Sequence, residues 1–344
     1  MENYISNIKT HKVSIAPMVD KTHRHFRYFA RILTKEALLY TEMVTAQSII
    51  NGDRNKILYL RDEEGPVSLQ IAASNPEDAY NAVKLAEEFN YSEINLNCGC
   101  PSDRVSGNLM GAALMSSKNL VYEILSAMKE ATNKPITIKH RIGIDGTGVL
   151  ANPNEKIIME GYDDLLDFLS TVSKAKPDRY TIHARSAILN GLSPKDNREI
   201  PPLDYDMVYR VKKEFDYLNI EINGGFKSID SIKSALNKVD GVMIGRAAYE
   251  DCYLLANFYK LYNDTEINKP ISRSEIIKAY IPYIIEELEN GNSVHSLVSP
   301  LHSLFQGQKG SKKYRQFLSS SNVKKETIVD ILNSILETIC KDKM

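Results

Sequence analysis

The 344-residue chain carries 43 Lys and Arg against 44 Asp and Glu, a formal net charge of −1, with 43% hydrophobic residues and four cysteines. That apolar content permits a sizeable core, and no run approaches the roughly 18 apolar residues a membrane helix needs. A chain so near neutrality can bind nucleic acid only through a local basic patch. Cys98, Cys100, Cys252 and Cys340 are too few and scattered for a disulfide framework. Cys98-x-Cys100 has no second Cys pair or nearby His to complete a zinc set, and residues 1–12 lack the apolar stretch of a signal peptide. A cytoplasmic protein without a metal is expected.

In chain order, short β-like runs alternate with helical patterns. The runs are VSIAPM (13–18), LLYTEM (38–43), VSLQIA (67–72), EINLNC (93–98), ITIKHR (136–141), RYTIHA (179–184), NIEING (219–224) and GVMIGR (241–246). Most are apolar and rich in Ile, Val and Leu, as in a parallel sheet buried on both faces. Amphipathic stretches such as 76–89, 119–131 and 230–236 lie between them. Eight βα units in about 250 residues predict a TIM (β/α)8 barrel over residues 1–262. A doubly wound sheet would call for about six strands and a Gly-rich first turn. Beyond residue 265 the β pattern stops, and 271–289, 294–305 and 323–340 carry helical periodicity. A small C-terminal all-helical domain, 263–344, is expected, with its boundary in the polar stretch 263–270.

Barrel active sites lie at the C-terminal ends of the strands. There the sequence places Pro17, Met18 and Asp20, then Glu42, Gln70, Asn95, Asn97, Cys98 and Cys100. Lys139, His140 and Arg141 follow, then His183 and Arg185, Asn223-Gly224-Gly225, and Gly245-Arg246. One strand Gln or Asn is more often a hydrogen-bonded structural group; the clustering at one end of every strand carries the signal. Asn-Gly-Gly after strand seven and Gly-Arg after strand eight fit a phosphate, with open backbone N–H groups and helix N-termini behind them. Tight turns that simply need glycine are the alternative. Lys139 could favour an anionic ring such as a reduced flavin. His183 by position alone is equally a buried core histidine. Cys100, on a Gly-Cys-Pro turn, has no local His to make it a nucleophile, so an acid role fits better, with an inert thiol as the alternative. Cys98, on the strand, is expected to pack.

At these residues the sequence resembles the dihydrouridine synthases. The matching strings are APMVD (16–20), LYTEMV (39–44), NLNCGCPSDRV (95–105), KHRIG (139–143), IHAR (182–185), GLSPKDNREIPPL (191–203), NGG (223–225) and GVMIGR (241–246). The 191–206 and GCPSDRV strings are similar to the A-type branch, which implies positions 20 and 20a of the tRNA D-loop as targets. The resemblance further implies that NADPH reduces FMN, that hydride passes to C6 of uracil, and that Cys100 protonates C5. By matching, FMN is contacted by Pro17, Met18, Val19, Gln70, Lys139, His183, Asn223, Gly224, Gly225, Gly245 and Arg246. Asn97 would lie against the base, and Lys195 and Arg198 would touch tRNA. Cys98 stands where this branch usually has an apolar residue, and Ser186 and Ile188 replace the usual basic and aromatic residues. The polar 144–161 loop has no evident role.

Residues 301–325 hold Lys309, Lys312, Lys313, Arg315, Lys324 and Lys325 with no Asp or Glu. Such a patch attracts a phosphate backbone without reading sequence, and with the resemblance it makes Lys312, Lys313 and Arg315 expected tRNA contacts. The target base must leave its stack to reach the barrel. Two competing readings are a flavin barrel acting on a free pyrimidine or other small molecule, and an RNA-binding protein on a catalytically dead barrel.

Overall fold

The computed structural model describes residue 8 and residues 11–102, 109–150, 156–262, 269–319 and 324–341. Eight parallel strands close into a barrel: β1 (Val13–Ile15), β2 (Leu39–Tyr40), β3 (Val67–Ala72), β4 (Glu93–Cys98), β5 (Ile136–Arg141), β6 (Arg179–His183), β7 (Ile220–Asn223) and β8 (Gly241–Ile244). Each pairs with its neighbour in sequence. Closure comes from β1 pairing with β8, Val13 opposite Val242, and from the bridge between Ser14 and Leu38. All eight expected strands are present, several trimmed at their C-terminal ends. Chain emerging at the mouth leaves the ladder there, helped at residue 17 by a proline that has no N–H to give.

Each strand is followed by a helix: α1 (Arg24–Leu33), α2 (Ala46–Asn51), α3 (Pro76–Ala86), α4 (Lys118–Ala131), α5 (Gly161–Val172), α6 (Tyr205–Glu214), α7 (Ile229–Leu236) and α8 (Ala247–Glu250). Their starts follow local capping chemistry. Asn75 Oδ1 accepts from the Asp78 N–H at 2.8 Å, with Pro76 at the first helical position, and Ser228 caps α7 with Ser231 in a reciprocal box. The 144–161 segment contributes a small sheet, in which Ile144–Asp145 pairs with Ala187–Ile188 and with Ile158–Met159.

Beyond the barrel come α9 (Arg273–Glu289), α10 (Val294–Val298), α11 (Ser311–Leu318) and α12 (Ile328–Lys341). The expected boundary lies mostly outside the described residues. Helix α9 docks on α1. Tyr283 stacks on Tyr28 with ring centroids 3.8 Å apart, and its hydroxyl lies 2.7 Å from His25 Nδ1. Glu287 is fully buried, which is tolerable because Arg24 and Arg61 both bond its carboxylate. One continuous apolar cluster runs from the helices around the barrel into α9–α12. Among the described residues no helix is long and apolar enough to cross a membrane.

Inside the barrel the lining is divided. Ala16, Leu38, Tyr40 and Met243 form a small apolar cluster. The β3–β7 side instead carries Gln70, Glu93, Asn95, Asn97, Thr137, Arg179, Thr181, Glu221 and Asn223, all buried. Barrel interiors are usually filled with branched aliphatic layers. So much buried polarity is tolerated only because most of these groups hydrogen-bond to one another.

Candidate active site

Strand β4 delivers the central group. Asn97 points into the barrel, Cys98 out into the core, and the chain then turns at Gly99. Asn97 Oδ1 accepts from the Gly99 N–H (3.1 Å) and the Cys100 N–H (3.0 Å), which fixes that turn. Residues two apart on a continuing strand would share a face; the turn breaks that relation and brings Cys100 to the partly exposed mouth. Cys98 is fully buried, and burial pushes its thiol far above the usual range. Both cysteines are free thiols.

Two cationic side chains flank the Cys100 turn: Lys139 stands directly opposite Asn97 in the β4–β5 register, and Arg141 bonds the Gly99 carbonyl. Burial, reinforced by Arg141, pulls Lys139 down to about 8. Among the described residues no acceptor bonds the Lys139 ammonium. A half-buried, unpaired ammonium facing an open barrel end is a site for an anionic partner. His183 is held well below its usual range, first by burial and then by Arg141, Lys139, Arg185 and Arg246, so it is neutral.

Arg141 is a joint that sequence reasoning left without a role. Its Nε donates to Gly99 O at 2.9 Å, and its Nη1 donates to Ser186 O at 2.9 Å and Asn197 O at 3.1 Å. One buried guanidinium thus ties the Cys100 turn to the loop carrying Lys195 and Arg198. Asn197 completes the tie by exchanging two hydrogen bonds with the Ile188 backbone, each 2.8 Å. The signal in the sequence was an arginine at a barrel-interior position. His140, by contrast, faces the helix layer, packs on Phe168 and bonds Arg141 O, so it does not join the mouth despite ending the same strand.

At the β7 and β8 ends, Gly224 and Gly225 have φ of 131° and 72°, conformations that favour glycine. A Cβ on Gly224 would lie 2.6 Å from Leu203 and 3.2 Å from the His183 ring, so the turn has no room for a side chain. At Gly245 the nearest atom to an added Cβ is that of Ala16, 3.9 Å away. Arg246, just ahead of α8, pairs with Glu199 at 2.8 Å and donates to Arg198 O at 3.2 Å. Asn223 Nδ2 donates to Met243 O at 2.9 Å, joining β7 to β8 beneath this corner. Across the mouth, the β1–α1 loop is braced by Met18 N–H donating to Thr22 Oγ1 at 3.0 Å and the Asp20 N–H donating to Glu42 at 2.5 Å. That bracing leaves Val19 58% exposed. Burial raises the Glu42 carboxyl from its ordinary value, opposed by the Asp20 N–H bond.

The sequence model for dihydrouridine synthases matches residues 14–342. The chain belongs to the dihydrouridine synthase family. A tRNA-dihydrouridine(20/20a) synthase of Synechocystis sp. is 44% identical over 338 residues, covering 98% of this chain and 97% of that protein. Those of Vibrio parahaemolyticus (45%, covering 96% and 98%) and Escherichia coli O6:H1 (42%, covering 96% of each) carry the same name. Among solved structures, a 2-naphthoyl-CoA reductase complex superposes with a TM-score of 0.54 at 10% identity, covering 74% of this chain and 51% of that one. That likeness concerns the barrel fold alone. Family membership makes the chain an oxidoreductase.

In this dihydrouridine synthase fold, Cys100, Asn97, Gln70, Lys139, His183, the Gly224–Gly225 turn, Gly245, Arg246 and the Pro17–Met18–Val19 loop all ring the barrel mouth. Lys195 and Arg198 stand exposed on the neighbouring loop, held through Arg141. Lys312, Lys313 and Arg315 lie apart, exposed on α11. The 299–303 turn that α11 packs against touches both α1 and α8. Its His302 senses Lys21 of the β1–α1 loop as well as Arg315. Asp103, Arg104 and Val105 of the matched string fall outside the described residues.

Proposed function

We propose that the protein is a tRNA-dihydrouridine synthase that holds FMN in the barrel mouth, draws electrons from NADPH, and reduces uridine in the tRNA D-loop at positions 20 and 20a. The observation that carries this reading is Cys100 on a turn at the barrel mouth that Asn97 holds, beside Lys139 and with Arg141 bonded to the same turn. The names of the near-full-length relatives support the substrate.

The residues present suit FMN. The Gly224–Gly225 turn, the open space at Gly245 and the Arg246 guanidinium suit its phosphate. The unpaired Lys139 ammonium suits a ring that gains negative charge, while neutral His183 adds a hydrogen-bonding edge without further repulsion. Pro17, Met18, Val19, Gln70 and Asn223 complete the enclosure. Bound FMN, reduced by NADPH, would supply hydride to C6 of the uracil.

The chain's own part is acid catalysis and positioning. Cys100 Sγ gives its proton to C5, from a turn held by Asn97 and Arg141. Asn97 orients the base, which must be extruded to enter the barrel. Lys195 and Arg198 on the clamped loop, and Lys312, Lys313 and Arg315 on α11, take the tRNA backbone.

The test is purification followed by incubation with NADPH and tRNA from a strain lacking dihydrouridine. Flavin absorbance in the preparation and dihydrouridine mapped to positions 20 and 20a are expected. Reduction of free uracil or uridine with tRNA untouched would replace this reading with a small-molecule reductase. A colourless protein that binds tRNA without changing it would make it a binding protein.

A further inference from the structure

The polar side of the barrel interior contains a chain of hydrogen bonds that all point one way. It starts at the turn, where the Gly99 and Cys100 N–H groups donate to Asn97 Oδ1. Asn97 Nδ2 donates to Gln70 Oε1 (2.7 Å), Gln70 Nε2 to Asn95 Oδ1 (2.9 Å), and Asn95 Nδ2 to Thr137 Oγ1 (2.8 Å). The Thr137 hydroxyl donates to Glu93 Oε1 at 3.2 Å, and the same oxygen takes a guanidinium N–H of Arg179.

The two ends have fixed polarity. Backbone N–H groups only donate, and a carboxylate only accepts. Between them stand three primary amides and one hydroxyl, each able to face either way when alone. Reversing Asn97 or Gln70 in place would set donor against donor on one side and acceptor against acceptor on the other, and reversing Asn95 would set donor against donor at Gln70 and draw the single Thr137 proton away from Glu93. Every side chain from Asn97 down to Arg179 is buried, so water is poorly placed to repair such a mismatch. The orientation of Asn97 is therefore specified from below as well as by the turn it holds.

We propose that Glu93 and Arg179, on the floor of the barrel, are positioning residues for the substrate end of the site, acting through Thr137, Asn95 and Gln70 to hold the Asn97 amide and with it the Cys100 turn. The proposal rests on the reading above, in which Asn97 and Cys100 face the base. The same floor supplies its own comparison. Thr181 Oγ1 donates to Glu221 at 2.6 Å, a buried Thr–Glu pair like Thr137–Glu93 but on the far side of Arg179 from the strand that carries the turn.

The experiment compares flavin-loaded wild type with Thr137→Val, Thr137→Ser and Thr181→Val. Three quantities are measured: Cys100 alkylation by iodoacetamide (by peptide mass mapping), NADPH-driven flavin reduction, and the kcat for dihydrouridine in tRNA. Thr137→Val keeps the shape but cuts the chain. The loosened turn should raise the alkylation rate at least about threefold. Misplacing the reacting groups should lower kcat about 10–100-fold while flavin reduction is unchanged. Thr137→Ser restores the hydroxyl and should recover both. Thr181→Val should lose similar thermal stability with neither change. If Thr137→Val does not fold, Thr137→Ala takes its place. Wild-type alkylation and kcat in the cut variant, or equal effects from Thr181→Val, would overturn the proposal. Should wild type form no dihydrouridine at all, the functional reading falls, and alkylation alone still decides whether the floor holds the turn.

Discussion

At the scale of single residues, two cysteines two positions apart have opposite fates. Cys98 is sealed in the core and Cys100 stands at the mouth, because Asn97 ends the strand by capping the turn. Cys100→Ala should keep flavin and NADPH oxidation while lowering dihydrouridine formation roughly 10²–10⁴-fold, the usual contribution of a positioned acid. Cys98→Ala should leave the chemistry near wild type and cost only packing. Mapping of dihydrouridine with both variants decides it, and an equal fall in Cys98→Ala would exchange their roles. Arg246 is a less independent group. Its side chain is 40% exposed and already paired with Glu199, so the proposed FMN phosphate would compete with that carboxylate. Arg246→Ala should therefore weaken FMN binding only about tenfold, near the low end for a charged hydrogen bond. Glu199→Gln should tighten it. Flavin titration of the apoprotein checks both, and unchanged affinity in both would move the phosphate elsewhere.

At the scale of elements, Arg141 links three backbone carbonyls that the chain supplies from two loops, Gly99 after β4 and Ser186 and Asn197 between β6 and α6. Lysine there keeps the charge but lacks the planar fork. Arg141→Lys should release Ser186 O and Asn197 O, faster hydrogen exchange should appear across 186–200, and KM for tRNA should rise as Lys195 and Arg198 lose their footing. Exchange unchanged in that segment would show the loop to be held by Asn197 alone.

The eight strands were legible because strands of a parallel barrel are short apolar runs between turn signals, and the gathering of polar residues at one mouth was legible because that end collects the strands' C-termini. The small sheet around Ile144 was not legible, since two-residue strands are too short to show a period. Glu93 and Arg179 escaped notice for a different reason. They lie at strand starts, where a barrel is read for stability, and their hydrogen bonds to the mouth run across strands, which no spacing along the chain reveals. For Arg141 the sequence shows an arginine at an interior position but not what it clamps, because its acceptors are backbone carbonyls, which carry no sequence signature.

At the scale of the whole molecule, the barrel and the C-terminal helices share a core, and the seam holds two histidines. His23 is lowered to about 4 and His25 to about 3, both chiefly by burial and then by nearby Arg24 and Arg27, with Lys21 also acting on His23 and Asp20 opposing it. Their folded values lie below the ordinary one, so the fold favours the neutral rings. The stability they permit is fully present above about pH 6.5 and is lost as pH falls toward 4. Thermal unfolding and limited proteolysis at pH 7.5 and 5 should show the α9–α12 region loosening at the lower pH. His25→Gln should lessen the difference, and a pH-independent transition in wild type would sink the idea.

The exposed cations of α11 belong to the same scale, because the tRNA proposed to contact them must also reach the barrel mouth. The proposed cofactor residues lie in the barrel and Lys312, Lys313 and Arg315 on α11, so the two proposed functions should separate on mutation. Neutralising all three should weaken tRNA binding while leaving the flavin spectrum and NADPH oxidation as they were. Each phosphate that the variant no longer neutralises should reduce the slope of log affinity against log salt by about 0.7–0.9. Arg315 donates to Gln306 at 3.1 Å and Lys313 lies over the Phe317 ring, so the substitutions also remove two weak local interactions. Helix α11 should survive their removal, because Tyr314 packs on Phe305 and donates to Leu301 O on the opposite face. The weakening should be nearly the same for tRNAs of different sequence, since phosphate contacts place the substrate without reading it. Binding measured at three salt concentrations separates the outcomes. A lower affinity with a shallower slope identifies α11 as a backbone contact. An unchanged slope and affinity would make it an ordinary solvated face and leave tRNA docking to Lys195 and Arg198.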